Sequence, residues 1–174
     1  SDLVGIVSDF AYGAIGFDGN QPLSFLQTAG AKSVGIETYT FSKTFNMAGW
    51  RVGFAVGNAD MIAALNLIQD HLFVSIFPAI QDAAIAALAQ RKQRTDAVGQ
   101  LQAVYESRRN AFINAVRSFN WEPYVPKGAF YVLMPVPKGY TSAQFAELLL
   151  NRANVAVADA SGFGDAGEGY VRVG

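Results

Sequence analysis

The chain has 174 residues, 51% of them hydrophobic and 16% charged, with a net charge of −1, a single histidine and no cysteine. This excludes a disulfide framework, a thiolate or histidine metal cluster, and binding to nucleic acid or an anionic membrane by bulk electrostatics. No apolar run reaches the ~18 residues of a membrane-spanning helix.

The mean hydropathy of +0.19 is high for so few charges. It implies apolar surface that a partner or further sequence covers. The chain opens at "SDLVGIVSD" and closes at "YVRVG", each inside a strand-like run, and so reads as a fragment of a longer protein. No segment resembles a signal or transit peptide, and the expected location is the cytoplasm.

"LVGIVSD" (3–9) is a short apolar run ending in Asp9 and reads as a buried parallel strand. "AYGAIGFDGNQP" (11–22) is a loop by its Gly, Asn and Pro content. "SVGIETYTFS" (33–42) and "WRVGFAVG" (50–57) read as strands. Asn58 is placed to cap a helix through about His71, with Met61, Ile62, Leu65 and Ile68 at helical spacing. His71 is expected to be structural. A second helix is expected over 75–90, with Pro78 in its first turn.

A long amphipathic helix is expected over 95–119, with Val98, Leu101, Val104 or Tyr105, Phe112, Val116 and Phe119 on its apolar stripe. "GAFYVLMPV" (128–136) is a strand, and Thr141 with Gln144 forms a capping-box signature for a helix through about Asn151. "VAVAD" (155–159) and "YVRVG" (170–174) complete the strands. The expected fold class is α/β. Residues 1–92 form part of a doubly wound, mainly parallel sheet domain, 93–119 a linking long helix, and 120–174 a smaller α+β domain. In open α/β sheets ligands sit at the carboxyl ends of strands, where Asp9 and the Thr40–Lys43 turn fall.

"TFSKTFNMAGWRVGF" (40–54) sets a lysine and an arginine into an apolar segment. An isolated lysine is ordinarily a solvated surface residue. Lys43, however, follows a buried-looking strand and is flanked by Phe41, Phe45 and Met47. Such surroundings favour the neutral amine that a Schiff-base nucleophile needs. Arg51 with the hydroxyls of Thr40 and Ser42 makes a reasonable phosphate cradle. An amine for an aldehyde and a cradle for a phosphate together suggest pyridoxal 5′-phosphate.

The same stretch resembles the cofactor-attachment motif of class I/II pyridoxal-phosphate aminotransferases, of fold type I. Lys43, Asn46, Met47, Gly49, Arg51 and Gly53 fit that motif, and Thr40 departs from its usual Ser or Gly while keeping a hydroxyl. "SDFAYGAIGFDG" resembles the family's Asp-x-x-Tyr segment. The resemblance implies that Asp9 pairs with the protonated pyridine nitrogen and that Tyr12 donates to the ring's phenolic oxygen. "GEGYVRVG" resembles the family's terminal strand, which assigns Arg172 to the substrate α-carboxylate. Tyr131 or Phe130 in "PKGAFYVLMPV" is implied to line the substrate channel. Asp159-Ala160 stands where relatives commonly carry Pro-Gly.

The resemblance implies amino transfer between an amino acid and a 2-oxo acid through a Lys43 Schiff base, with Lys43 as general base and acid. It also implies a homodimer with shared active sites, and further cofactor-binding elements N-terminal to Ser1. Two alternatives stay open on these motifs: a carbon–sulfur β-lyase of the same fold, and an aminotransferase-like sensor domain of a transcription regulator. No role in binding nucleic acid or membrane is expected of this chain itself.

Overall fold

The computed structural model describes residues 4–90 and 97–174. The chain divides into two compact units, Ser1–Gln102 and Ala103–Gly174. The expected domain boundary at 92/93 and the expected helix start at residue 95 lie outside the described residues.

In the first unit, β1 (Ile6–Asp9) is followed by a helical turn α1 (Ala31–Val34) and β2 (Gly35–Thr40). Next come a second turn α2 (Phe41–Thr44) and β3 (Gly53–Gly57). The sheet order is β1-β2-β3, with β1 parallel and β3 antiparallel to β2. The expectation of a mainly parallel sheet is therefore replaced, among the described residues, by a mixed one. The reason is local: the Phe41 N–H donates to the Val52 carbonyl at 3.1 Å, so the segment between them returns on itself and sends β3 back against β2.

The strand expected over 33–42 is confined to Gly35–Thr40. Its end is chemical. The Thr40 hydroxyl accepts the Ser42 N–H at 3.1 Å, capping α2 and lifting Ser42 and Lys43 out of the sheet. Asn58 caps α3 (Ala59–Leu72) as expected, accepting the Met61 N–H at 3.0 Å. α4 (Pro78–Gln90) starts on its proline, where the missing N–H has no helical partner to lose. The buried cluster of Phe41, Val52 and Ala84, joined by Phe45, Met47, Ile76 and Ile80, packs α4 against the segment that carries Lys43. On α3, Met61 and Ile62 are half-buried, but Leu65 and Ile68 are exposed, as are Val7 on β1 and Phe54 on β3.

α5 (Ala97–Arg117) runs from the first unit into the second. The second unit continues with β4 (Val132–Pro135), α6 (Ser142–Ala153), β5 (Ala158–Asp159) and β6 (Tyr170–Val173). Its sheet order is β4-β6-β5, antiparallel throughout. The core is Ile113, Val132, Met134, Phe145 and Val171, with Phe112, Val116 and Trp121 packed on it. The expected stripe on α5 needs correction in this unit. Ile113 is its buried member, and of the Val104 or Tyr105 pair it is Tyr105 that is half-buried, whereas Val104 and Phe119 are exposed. Phe119 lies beyond the helix end, where Asn120 turns the chain with a φ of +58°. The capping box on α6 is complete: the Thr141 hydroxyl accepts the Gln144 N–H at 3.2 Å, and the Gln144 carbonyl oxygen accepts the Thr141 N–H at 3.0 Å. β4 begins only at Val132, because Ala129 adopts a φ of +60° and interrupts the extended run.

Candidate active site

Asp9 is the last residue of β1 and lies in register with Thr38 of β2. Two further bonds fix that strand end: the Phe10 N–H donates to the Thr38 carbonyl at 3.0 Å, and the Thr38 hydroxyl donates to the Ser8 carbonyl at 3.4 Å. Tyr12 sits in the turn that follows, where the Gly13 N–H donates to the Phe10 carbonyl at 3.1 Å. The Lys43 ammonium nitrogen lies 5.9 Å from the centre of the Tyr12 ring. Asp9 and Tyr12 thus come from the end of one strand, and Thr40, Ser42 and Lys43 from the end of its parallel neighbour. This is the edge at which α/β sheets bind ligands.

Arg51 follows a 3-10 turn (Ala48–Trp50) and takes a left-handed conformation, φ +54° and ψ +44°. One of its terminal nitrogens donates to the Ala48 carbonyl at 3.1 Å. A non-glycine residue there carries local strain, a pattern that clusters at functional sites. The Thr40 hydroxyl spends an acceptor site on the Ser42 N–H and keeps its own proton to donate. Gly53 has a steric reason: a Cβ there would lie 2.4 Å from the Tyr39 carbonyl oxygen across the strand pair. Nothing lies within 4 Å of a Cβ placed on Gly49, so sterics among the described residues do not demand it.

One participant escaped the sequence reading. The Glu37 side chain on β2 is fully buried. Its carboxylate accepts the Ser24 hydroxyl and the Phe25 N–H, each at 2.7 Å, the Ser8 hydroxyl at 3.3 Å, and the Tyr39 hydroxyl. Burial pushes this carboxyl up, but the four hydrogen bonds, led by that from Tyr39, outweigh it and hold the group below its ordinary value. The Tyr39 phenol is pushed up, by burial first and then by donating to Glu37. Through Ser8, this network ties the residue before Asp9 to the Ser24–Phe25 segment. The signal was a charged residue in the middle of "GIETYT", which only a set of donors makes tolerable in a strand.

In the second unit, Arg172 lies on β6, paired with Leu133 and Ala158, with its guanidinium stacked on Tyr131 at 4.3 Å. Phe130 turns instead towards Tyr105, at 5.1 Å between ring centres. Asp159, where relatives were expected to carry proline, caps a 3-10 turn (Ala160–Phe163). Its carboxylate accepts the Ser161 N–H at 2.9 Å and the Ser161 hydroxyl at 2.7 Å.

The sequence profile described as Aminotransferase class I and II matches residues 4–174. The chain belongs to that family, whose members use pyridoxal 5′-phosphate. Among particular relatives, it is similar to the L-glutamine–4-(methylsulfanyl)-2-oxobutanoate aminotransferase of Bacillus subtilis, with 62% identity over 97% of this chain and 42% of that protein. It is 46% identical to an LL-diaminopimelate aminotransferase of Dehalococcoides mccartyi, again over 97% of this chain and 42% of the relative. In structure it is similar to apo BacF of Bacillus subtilis, with a TM-score of 0.91 and 44% identity over 97% of this chain and 42% of that one. The aromatic aminotransferase of Pyrococcus horikoshii superposes with a TM-score of 0.90 at 34% identity, over 97% of this chain and 45% of that one. The chain shares the α/β architecture with mixed sheets of these fold type I aminotransferases. It spans about 42% of the length of the curated relatives it matches.

Proposed function

We propose that this chain carries cofactor-binding and carboxylate-binding residues of a pyridoxal-phosphate aminotransferase, which moves an amino group between an amino acid and a 2-oxo acid. The observation that carries the reading is the approach of Lys43 to Tyr12 at 5.9 Å, at the strand end shared with Asp9. The donor set suits the cofactor group by group: an amine for its aldehyde, a carboxylate for its pyridine nitrogen, a phenol for its ring oxygen, and hydroxyls with a guanidinium for its phosphate.

The cofactor, when bound, supplies an electrophilic carbon and a ring that withdraws electrons. The rest falls to side chains. Asp9 keeps the ring nitrogen protonated by placing a negative charge beside it. Tyr12 donates its hydroxyl proton to the ring oxygen. Thr40, Ser42 and Arg51 hold the phosphate dianion, Arg51 through charge-assisted hydrogen bonds. Lys43 Nζ would hold the cofactor in the resting enzyme; once displaced by the substrate amine, the freed amine would take the proton from the substrate Cα as general base and deliver it, as general acid, to the cofactor's C4′ carbon. Arg172 grips the substrate α-carboxylate in a bidentate contact.

In this reading residues 1–92 are the C-terminal portion of a doubly wound cofactor-binding domain, 93–119 the linking helix, and 120–174 a smaller α+β domain. A cytoplasmic homodimer with shared sites completes the proposal. The relative with 62% identity makes L-glutamine and 4-(methylsulfanyl)-2-oxobutanoate the first pair to assay. The test uses the full-length protein. Lys43→Ala is expected to abolish both the visible absorbance of the attached cofactor and amino transfer. Retention of both in that variant overturns the proposal.

A further inference from the structure

Arg172 lies against two aromatic rings. Its guanidinium carbon lies 4.3 Å from the centre of the Tyr131 ring and 4.3 Å from that of Phe163. Both strands flanking β6 deliver a ring to this point. Tyr131 precedes β4, and Phe163 ends the 3-10 turn that follows β5. Among the described residues, no carboxylate or carbonyl takes the Arg172 side-chain N–H groups. An arginine on a sheet ordinarily pairs with a carboxylate or swings through many rotamers in water. Here two rings lie against the guanidinium and restrict how its donors can turn.

Core packing among the described residues does not place Phe163. The turn places it, through the Asp159 cap at one end and Gly164, with a φ of +129°, at the other. That turn sets the Phe163 ring over the Arg172 guanidinium. We infer that Phe163 and Tyr131 are positioning residues, which hold the Arg172 plane ready for bidentate capture of the substrate α-carboxylate. The inference rests on the reading of Arg172 as the carboxylate ligand and adds how that ligand is oriented. Two rings against the guanidinium restrict its rotation, so it is preorganised and less rotamer freedom is lost when a carboxylate binds.

The test uses the full-length, cofactor-loaded enzyme and propionate, a carboxylate that cannot react, titrated by calorimetry. Steady-state kinetics with the best amino donor run alongside. Phe163→Leu keeps apolar bulk and removes the ring, and is expected to raise the Kd for propionate and the KM about tenfold, with a smaller effect on kcat. Phe163→Tyr restores both, and Tyr131→Leu repeats the loss. Arg172→Ala separates the two readings. If Arg172→Ala weakens propionate binding while Phe163→Leu and Tyr131→Leu leave it at the wild-type value, the positioning inference is overturned and the carboxylate reading stands. If Arg172→Ala itself leaves propionate affinity unchanged, the carboxylate reading fails and the inference falls with it.

Discussion

Tyr39 donates its hydroxyl to the fully buried carboxylate of Glu37, two residues earlier on the same face of β2. The bond joins a group held below its ordinary value to one pushed above it. It also sits in the strand that ends at Thr40, three residues before Lys43. Stability of this strand is therefore coupled to pH and to the donors around one carboxylate.

A carboxyl with a lowered folded-state value stabilises the protein above its unfolded value, near 4.5, and that contribution is lost as pH falls through the lower folded value. Glu37→Gln removes the charge and puts an NH2 group where three hydroxyls and the Phe25 N–H now donate, so the charge-assisted bonds are lost and the hydroxyls must re-pair. The expected cost is about 1–3 kcal/mol at neutral pH. Urea unfolding checks this at neutral pH and again at acid pH. The gap between wild type and Glu37→Gln should narrow as the wild-type carboxyl becomes protonated. A gap independent of pH would show that the charge of Glu37 does not contribute.

Arg51 is strained in the left-handed region, and glycine is not. Arg51→Gly is expected to raise the stability of the cofactor-free protein by up to about 1 kcal/mol. In the same variant, affinity for the cofactor should fall at least about tenfold, since a charge-assisted phosphate contact is lost. Thermal unfolding without cofactor and a cofactor titration read the two effects separately. Loss of stability together with unchanged cofactor affinity would contradict both parts.

Thr141→Ala removes one half of the capping box on α6 and is expected to destabilise the protein by about 1 kcal/mol. In a double-mutant cycle, Gln144→Ala should then cost less in the Thr141→Ala background than in the wild type, because the two bonds support each other. Strict additivity in denaturant unfolding would mean that the two halves act independently.

Met134 is 1% exposed at the centre of the second unit. Met134→Ala should cost about 2–5 kcal/mol through lost burial and an incompletely filled cavity. Met134→Leu, close in volume, should cost less than about 1.5 kcal/mol. Equal effects of the two substitutions, measured by urea unfolding, would show that packing at this position is not tight.

The sequence alone settled what is local. The caps at Asn58 and Thr141 reach three residues along the chain, and the order Asp9, Tyr12, Lys43, Arg51 carries the resemblance to the family without any tertiary contact. Tertiary structure decided what depends on which strands lie side by side. Glu37 draws donors from 13 and 29 residues away, β3 pairs back on β2 from Gly53 against Thr40 to Gly57 against Ile36, and Arg172 receives one ring from the residue before β4 and one from the turn after β5. Spacing cannot reveal such partners, because a contact between distant residues exists only once the sheet order and register have brought them together.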